Sequence, residues 1–296
     1  MLPREFVPGR FYLLTRRCTQ RLFLLRPDDE TNNNFLYMLA ESAARFGIDV
    51  LGSCVEDNHH HTVLFDRHGR IVEFYEHLHK FVAKIQNAWR GRWENLWSSE
   101  PPSRVRLVDA GDVIDKLVYA LTNPVKDGLV ERVHHWPGVN TLSALLNRRV
   151  LTAHRPRHFF RANSAMHEVV TLELVLPPEL GDPDEIRRIV RERVAAVEAA
   201  AIEDGRRTGR RILGRRAILK ESWRDRPSSH EPRRELSPRV AARDKWARIE
   251  TLLRDRAFRV AYRAARAAWL LGERAIFPAG TYWLRRFAAV PVAPTC

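Results

Sequence analysis

The residues at positions 58–65 read NHHHTVLF and join a histidine triplet to a run of β-branched and apolar residues. Such a run predicts a β-strand, on which alternate side chains point to the same face. His59 and His61 are therefore predicted to share one face, and His60 to point to the other. Imidazole binds several divalent metals, so the pair indicates a metal site. The alternative is a polar hairpin end with incidental histidines.

The segments before the triplet predict a helix followed by a hairpin. Residues 11–15 have the composition of a strand, and residues 28–46 that of a helix, which Gly47 ends. A short apolar run over 48–55 is joined to the triplet by EDN at positions 56–58, which has turn chemistry. We therefore expect the two apolar runs to pair as neighbouring antiparallel strands.

Two helices are predicted after the hairpin. Between 71 and 89, apolar residues recur at three- and four-residue spacing, which indicates an amphipathic helix. The two prolines at 101–102 indicate a loop, and a second helix is predicted from about 112 to 122, before Pro124. The order strand, helix, strand, strand, helix, helix predicts an α+β fold, an antiparallel sheet covered by helices.

Tyr119 lies off the apolar stripe of the second predicted helix, where a core tyrosine would not be placed. That stripe comprises Val113, Ile114, Leu117, Val118 and Leu121. Asn123 follows Tyr119 one helical turn later on the same side. The hydroxyl of Tyr119 is therefore available for chemistry, although a surface tyrosine before a helix-ending Asn-Pro pair fits the spacing as well.

A tyrosine and a histidine pair that binds metal together suit attack on a phosphate. Tyrosine is a weak nucleophile at neutral pH because its reference pKa is about 10. A metal beside a phosphate stabilises the charge that develops there. Tyr119 would then supply the attacking oxygen, His59 and His61 would bind the metal, and the amide of Asn123 would add a neutral ligand.

Three blocks of sequence together have a known counterpart: PGRFY at 8–12, NHHH at 58–61 and YALTNPVKDGLV at 119–130. On these blocks the segment from 8 to about 141 resembles the single-tyrosine transposases of the HUH endonuclease class, and within it the REP-associated tyrosine transposases. The last block is the most specific, because a tyrosine followed at this spacing by Pro-Val and Gly-Leu-Val is a rare combination.

The resemblance implies a ferredoxin-like nuclease domain that nicks and rejoins single-stranded or hairpin DNA. Tyr119 would be the catalytic nucleophile and form a 5′-phosphotyrosine link, while His59, His61 and Asn123 would hold a divalent metal, Mg²⁺ or Mn²⁺. A 3′-hydroxyl of a second strand would reverse the step, so no nucleotide cofactor is expected. Some relatives build each active site across a homodimer, and the sequence leaves monomer and homodimer open.

Two positions depart from the family pattern. His60 stands where a bulky apolar residue is usual, and Leu13 stands where a histidine is common. The first departure keeps open a catalytically inactive protein that binds hairpin DNA. A further alternative is an unrelated metal hydrolase, which needs a carboxylate base near the metal. Asp57 and Asp66 are the nearest carboxylates in sequence, and neither has a persuasive spacing.

The formal net charge of +14 is concentrated in the second half of the chain. Residues 1–150 carry 20 Lys+Arg and 18 Asp+Glu, whereas residues 151–296 carry 30 and 18. We interpret 1–150 as the transposase-like domain and 151–296 as a basic, mainly helical C-terminal extension that binds DNA or packs on the domain. In that extension a strand is expected over 171–176, helices over 184–201 and 245–271, and a loop over 227–238.

Several basic side chains are candidates for DNA contact because they cluster along the chain or follow predicted elements of the site. They are Arg16, Arg17, Lys80, Lys84, Arg90, Arg210 and Arg211. Trp89, Trp93 and Trp97 alternate with charges and are candidates for stacking on unpaired bases. The alternative is that the basic residues are solvated and that Trp89 belongs to the apolar stripe of its helix.

The cysteines and the apolar segments indicate the compartment. Cys18, Cys54 and Cys296 are scattered and odd in number, which argues against a disulfide framework and favours a reducing cytoplasm. The N-terminus lacks an apolar signal core, and no run of 18 apolar residues is present. We therefore expect a cytoplasmic protein without a membrane partner.

Overall fold

A five-stranded sheet forms the centre of the protein. The computed structural model describes residues 3–229 and 238–294. The strands are β1 (Arg10–Arg17), β2 (Ile48–Val55), β3 (His59–Asp66), β4 (Ser103–Leu107), β5 (Leu151–His154), β6 (Val169–Leu172) and β7 (Val240–Ala241). The sheet has the order β2-β3-β1-β4-β7, and β5 pairs with β6 in a separate ribbon. All neighbours in the sheet are antiparallel apart from β4 and β7, so the predicted α+β class is confirmed.

The predicted long helices are present, and local capping explains where they begin and end. The helices are α1 (Asp29–Phe46), α2 (Ile71–Arg90), α3 (Ala110–Leu121), α4 (Asn123–Lys126), α5 (Leu142–Leu146), α6 (Pro183–Thr208), α7 (Arg215–Ile218), α8 (Lys245–Leu270) and α9 (Trp283–Ala288). The side chain of Asp28 accepts the N–H of Thr31 at the start of α1, and Gly47 ends that helix with a φ of 63°. Asp109 and Asp112 form a capping box at the start of α3.

Helices cover both faces of the sheet, and the alternation along β3 decides which side chains meet which helix. On one face α1 packs against α2, and the ring of His60 lies 5.1 Å from that of Phe35 in α1. On the other face α3 packs on β2 and β3. The predicted apolar stripe of α3 is buried, and Tyr119 is 38% exposed, as its position off the stripe predicts.

The loop predicted at positions 101–102 is present, and the sequence analysis missed the strand β4 that follows it directly over residues 103–107. This strand pairs with β1, with Leu107 opposite Phe11 and Ser103 opposite Thr15. Its apolar residues are few, and its alternate positions carry arginines, so the pattern is too short to stand out in the sequence. The strand forms because it hydrogen-bonds to β1, which is distant in sequence, although its own sequence pattern is weak.

The apolar core continues from the first half of the chain into the second. Ile186, Val190 and Val194 on α6 are buried in the same cluster as the core residues of β1, β3 and α3. Arg193 of α6 also forms an ion pair of 2.5 Å with Asp115 of α3. The helices expected over 184–201 and 245–271 correspond to α6 and α8, and the strand expected over 171–176 begins earlier, as β6. The functional division at residue 150 stays a prediction.

Cys18 and Cys54 are buried free thiols, whereas Cys296 lies outside the described residues. The loop expected over 227–238 falls largely on residues 230–237, which also lie outside them. Among the helices that the structure describes, none is both long and apolar enough to cross a membrane.

The close approach of α3 to the sheet depends on a glycine in β2. The register between β2 and β3 shifts between Val50 and Gly52. A Cβ added at Gly52 would lie 2.5 Å from Cδ1 of Leu117 in α3. The absence of a side chain at Gly52 therefore sets how closely the helix that carries Tyr119 approaches the histidine strand.

We predict that Gly52→Ala lowers the free energy of unfolding by about 1–3 kcal/mol, because the new methyl group forces α3 away from β2. Gly205→Ala in α6 is the control, since its added Cβ would meet nothing closer than 3.8 Å. That substitution should raise stability by roughly 0.5–1 kcal/mol. Urea unfolding followed by circular dichroism measures both, and equal effects would contradict the packing described.

Candidate active site

His59 and His61 lie side by side on the α3 face of the sheet. Antiparallel pairing places His59 opposite Arg17 and His61 opposite Thr15 in β1. The two imidazole centroids are 4.8 Å apart, with the ring planes at 86°. The predicted shared face is confirmed, and His60 is fully buried on the opposite one.

Hydrogen bonds at the Nδ1 atoms orient both rings. Nδ1 of His59 donates to Oδ1 of Asn58 at 2.8 Å, which leaves the lone pair on Nε2. Nδ1 of His61 lies 2.7 Å from the hydroxyl of Thr15. Burial, with Arg17 adding to it, lowers the pKa of His59 to about 4, and burial also holds the pKa of His61 well below its usual value. Both rings are therefore neutral at physiological pH, as metal ligands must be.

Tyr119 faces the histidine pair from α3. Its ring centroid lies 5.3 Å from that of His61, with the planes at 72°. The ammonium groups of Lys116 and Lys126 lie 5.5 and 4.8 Å from the centroid of the tyrosine ring. Burial raises the pKa of Tyr119, and Asp127 and Glu56 add to the rise, so the hydroxyl is protonated at neutral pH.

Asn123 and Glu56 complete the group of polar side chains beside His59. Nδ2 of Asn123 donates to Oε1 of Glu56 at 2.9 Å and lies 3.2 Å from Nε2 of His59. Oε2 of Glu56 is 3.8 Å from the same histidine nitrogen. The sequence reasoning missed Glu56, because the turn at 56–58 was explained by its loop chemistry alone. The sequence feature that could have identified Glu56 as a site residue is its position three residues before His59.

These residues fit a divalent metal in their chemistry. Two neutral imidazoles, an amide and a carboxylate are donors that Mn²⁺ and Mg²⁺ accept. Glu56 is 4% exposed, and among the described residues it has no Lys or Arg in an ion pair. Burial, with Asp127 adding to it, raises its pKa well above the usual value, so a nearby cation would stabilise the ionised carboxylate. Within 3–229 and 238–294, no three His, Cys, Asp or Glu side chains lie close enough together to form a metal cluster by themselves.

His60, the departure from the family pattern, takes part in a buried chain of hydrogen bonds on the opposite face. Arg16 can only donate, so Nδ1 of His79 accepts from its Nη1 at 3.5 Å. The proton of neutral His79 then sits on Nε2, which donates to Nε2 of His60 at 2.9 Å. His60 in turn donates from Nδ1 to Oγ1 of Thr62 at 3.1 Å, and that hydroxyl lies 2.9 Å from Oγ of Ser53. Burial lowers the pKa of His60 to about 3, so this imidazole stays neutral within the chain of hydrogen bonds.

The chain of hydrogen bonds explains how a histidine is tolerated in the core. Every imidazole nitrogen of His60 and His79 has a partner, so neither ring leaves a buried polar atom unsatisfied. The hydrogen-bond chain also ends at Arg16, a residue of the cleft wall, whose guanidinium lies 5.7 Å from the ring centroid of Trp97. The buried pair thus holds a basic residue of the candidate site in place.

Three of the basic residues predicted to contact DNA line the cleft that contains His59, His61 and Tyr119. They are Arg16, Arg17 and Arg210. Arg211 is exposed next to Arg210 but is not part of the cleft wall.

The basic residues predicted on α2 lie elsewhere. Lys80 and Lys84 are exposed away from the cleft. Arg90 forms an ion pair of 2.5 Å with Asp28 and donates to Thr31 at 2.9 Å, so it supports the start of α1.

Three tryptophans are predicted to stack on bases. The prediction is wrong for Trp97, because this residue is only 7% exposed and its indole N–H donates to the carbonyl of His79 at 2.7 Å. Trp89 and Trp93 are exposed by 43% and 97%. The apolar periodicity of α2 does not extend through residues 93–97, since the helix ends at Arg90.

The arginine-rich segment after α6 packs against the end of the tyrosine block. The guanidinium of Arg210 donates to the carbonyls of Lys126 and Asp127 at 3.2 and 2.6 Å. The backbone N–H of Leu213 donates to the carbonyl of Gly128 at 3.1 Å. Part of the second half of the chain therefore forms one wall of the candidate active site.

Comparisons with known proteins show only distant structural similarity. No family model matches the chain, and no curated protein matches it. Among solved structures, that of a REP-associated tyrosine transposase bound to a REP hairpin is similar with a TM-score of 0.42 and 17% sequence identity. The match covers 55% of this chain and 88% of that one. A similarity of this extent does not establish membership of a family.

We predict that His60→Ala lowers the free energy of unfolding by about 2–4 kcal/mol, because it opens a cavity and leaves His79 and Thr62 without partners. Its affinity for Mn²⁺ should change little, since the side chain points away from the face that carries His59 and His61. His59→Ala is the matched variant and should behave in the opposite way, with a small stability change and a loss of Mn²⁺ binding. Urea unfolding and calorimetric titration with Mn²⁺ measure the two effects. A greater loss of Mn²⁺ affinity in His60→Ala than in His59→Ala would refute the assignment of His60 to the opposite face of the sheet.

Proposed function

We propose that this protein is a metal-dependent single-stranded DNA endonuclease and strand transferase, a transposase or a domesticated relative, that acts on hairpin DNA. The observation that carries the proposal is the contact of Tyr119 with His61, whose ring centroids lie 5.3 Å apart beside His59 and Asn123. A nucleophile and a set of metal-binding side chains in one open cleft support a reaction at a phosphate.

The residues that would hold the metal are His59, His61, Asn123 and Glu56. A divalent ion such as Mg²⁺ or Mn²⁺ held by them would supply positive charge beside the scissile phosphate. The hydrogen bond that Nδ1 of His59 donates to Asn58 and the one between Nδ1 of His61 and Thr15 fix the orientation of the imidazoles, which is the usual role of such partners around a metal.

In the proposed step, the Tyr119 oxygen forms a bond to phosphorus and the bond between phosphorus and the 3′ oxygen breaks. The products are a 5′-phosphotyrosine link and a free 3′-hydroxyl. The proton of the tyrosine is lost to solvent and the departing 3′ oxygen gains one. Lys116 and Lys126 lie beside the tyrosine ring, where ammonium groups suit contact with the phosphate. Attack by the 3′-hydroxyl of a second strand reverses the step and rejoins DNA.

A DNA substrate is supported by the charge of the chain and of the cleft. The net charge is +14, and Arg16 and Arg210 flank the cleft from the two halves of the chain. The element order β1-α1-β2-β3-α2-β4, with the strands arranged β2-β3-β1-β4, also supports the proposed ferredoxin-like arrangement of the nuclease domain.

We predict that Tyr119→Phe abolishes the covalent protein–DNA adduct and leaves the affinity for hairpin DNA within about twofold. The substitution removes the attacking oxygen and keeps the ring. The assay incubates the full chain with end-labelled hairpin DNA and Mn²⁺ and looks for a protein–DNA band that survives denaturation. Tyr262→Phe in α8 is the control and should still form the adduct.

Each outcome of this assay separates the proposed enzyme from its alternatives. An adduct that persists in Tyr119→Phe would exclude Tyr119 as the nucleophile. Binding of the hairpin without any cleavage by the unmodified protein would favour the catalytically inactive hairpin-binding protein. Cleavage without an adduct would favour a metal hydrolase.

We predict that Glu56→Gln weakens Mn²⁺ binding by about 10-fold or more, because the amide keeps the shape of the side chain and removes its charge. The neighbouring Asp57→Asn is the control. Burial, with Glu221 adding to it, raises the pKa of Asp57 to about 7, and its Oδ1 has no hydrogen-bond partner among the described residues. Calorimetric titration with Mn²⁺ compares the two variants. An equal loss in both would mean that Glu56 acts only through the fold.

A further inference from the structure

A second, smaller pocket lies at the other end of β1 and on the opposite face of the sheet from Tyr119. Arg106 faces Tyr12 across the β1–β4 pair, and Arg104 faces Leu14. Tyr12 and Leu14 share the face of Arg16 and therefore point away from the histidine pair at 59 and 61. The wall of this pocket contains five arginines: Arg4, Arg10, Arg104, Arg106 and Arg239.

The acidic residues of the pocket do not balance these arginines. Glu5 and Asp255 are the carboxylates in its wall. Glu5 forms an ion pair with Arg10 and is shared with Arg254 at 3.4 Å. Five guanidinium groups thus face two carboxylates, one of which already serves two arginines. An excess of positive charge remains in a space that is partly closed to water.

The hydrogen-bonding capacity of the arginines is also not used up by the protein. Nε of Arg4, Nε of Arg104 and Nη1 of Arg106 are buried without a hydrogen-bond partner in the part of the chain that the structure describes. Over those same residues, the side chains of Arg106 and Arg239 form no hydrogen bond or ion pair. Buried unsatisfied donors are uncommon in proteins and call for a ligand or water to receive them.

Aromatic packing accounts for Arg104 and the ion pair with Glu5 accounts for Arg10, while Arg4 donates from Nη1 to the carbonyl of Arg104 at 3.0 Å. The guanidinium of Arg104 lies 4.8 Å from the ring centroid of Tyr75 and 5.6 Å from that of Phe6. Burial, followed by repulsion from Arg104 and Arg239, lowers the pKa of Arg4 to about 10. Burial and repulsion from Arg10 also lower the pKa of Arg106. The arginines therefore destabilise one another, and an anion between them would relieve this repulsion.

We propose that this arginine pocket binds a phosphate group. Guanidinium groups bind tetrahedral oxyanions through paired N–H donors, and they do so best where water is partly excluded. The phosphate has two sources with the same chemistry, a free inorganic phosphate ion or a phosphodiester of nucleic acid. The site is separate from the cleft of Tyr119, so the inference does not depend on the proposed transposase activity.

Thermal unfolding of the full chain tests the pocket with inorganic phosphate as the probe. Sodium phosphate is compared with sodium chloride at equal ionic strength and pH. Phosphate near saturation should raise the Tm of the unmodified protein by on the order of 5 °C more than chloride does. The double variant Arg106→Gln/Arg239→Gln should lose this extra rise, and without phosphate its Tm should be equal or higher, since repulsion is reduced.

The control removes two exposed arginines outside the pocket, Arg157→Gln/Arg161→Gln, so that the change in net charge is the same. It should keep the full response to phosphate. The source of the phosphate is then identified by the salt dependence of hairpin-DNA binding, measured by fluorescence anisotropy. A phosphodiester in the pocket predicts that the slope of log K against log salt falls by about 1–2 in the pocket variant and that phosphate competes with DNA. A free anion predicts an unchanged slope.

The inference is overturned if the pocket variant and the control respond alike to phosphate and also bind DNA with the same salt slope. It is equally overturned if phosphate stabilises the unmodified protein no more than chloride does and the slope is unaltered in the pocket variant. Loss of the phosphate response in the pocket variant alone, or a reduced DNA slope in that variant alone, supports it.

Discussion

The antiparallel pairing of β1 with β3 is the constraint on which the rest of the structure depends. It fixes the register in which His59 and His61 face α3 while His60 faces α1 and α2. Because side chains alternate along a strand, a slip by one residue would exchange the two sets. His60 would then enter the cleft, and two imidazoles would be buried among apolar side chains. The apolar residues that follow the triplet are buried on both faces and hold the register.

Burial controls the chemistry of the histidines on both faces, with different results. On the α3 face it keeps His59 and His61 neutral while polar partners turn their rings, which is the condition for binding a cation. On the other face it keeps His60 neutral within a chain of hydrogen bonds that has no room for a ligand. The same residue type therefore supplies a candidate site on one face and core packing on the other. The difference lies in whether the ring nitrogens already have all their partners.

The positive charge of the chain is distributed in the same two-sided manner. Arg16 and Arg210 lie in the wall of the cleft of Tyr119, whereas Arg104 and Arg106 of β4 line a separate pocket. Arginine can occupy such partly buried positions because its charge is retained at any physiological pH and its planar group stacks on aromatic rings. Charge held inside the fold in this way is organised for particular anions, unlike the exposed arginines of α8, which contribute to the general field of the protein.

The sequence by itself determined the elements whose signals are local. The alternation at 58–65, the apolar stripe of α3 and the caps at Asp28 and Gly47 each depend on residues within a few positions of one another, and the pairing of His59 with His61 and the exposure of Tyr119 follow from them. Only the tertiary structure decided the place of Glu56 beside Asn123, the pairing of His60 with His79, the strand β4 and the cluster of arginines. Each of these joins residues far apart in the chain. The physical reason is that periodicity records which face of an element is buried, whereas the identity of the partner across that face is set by packing.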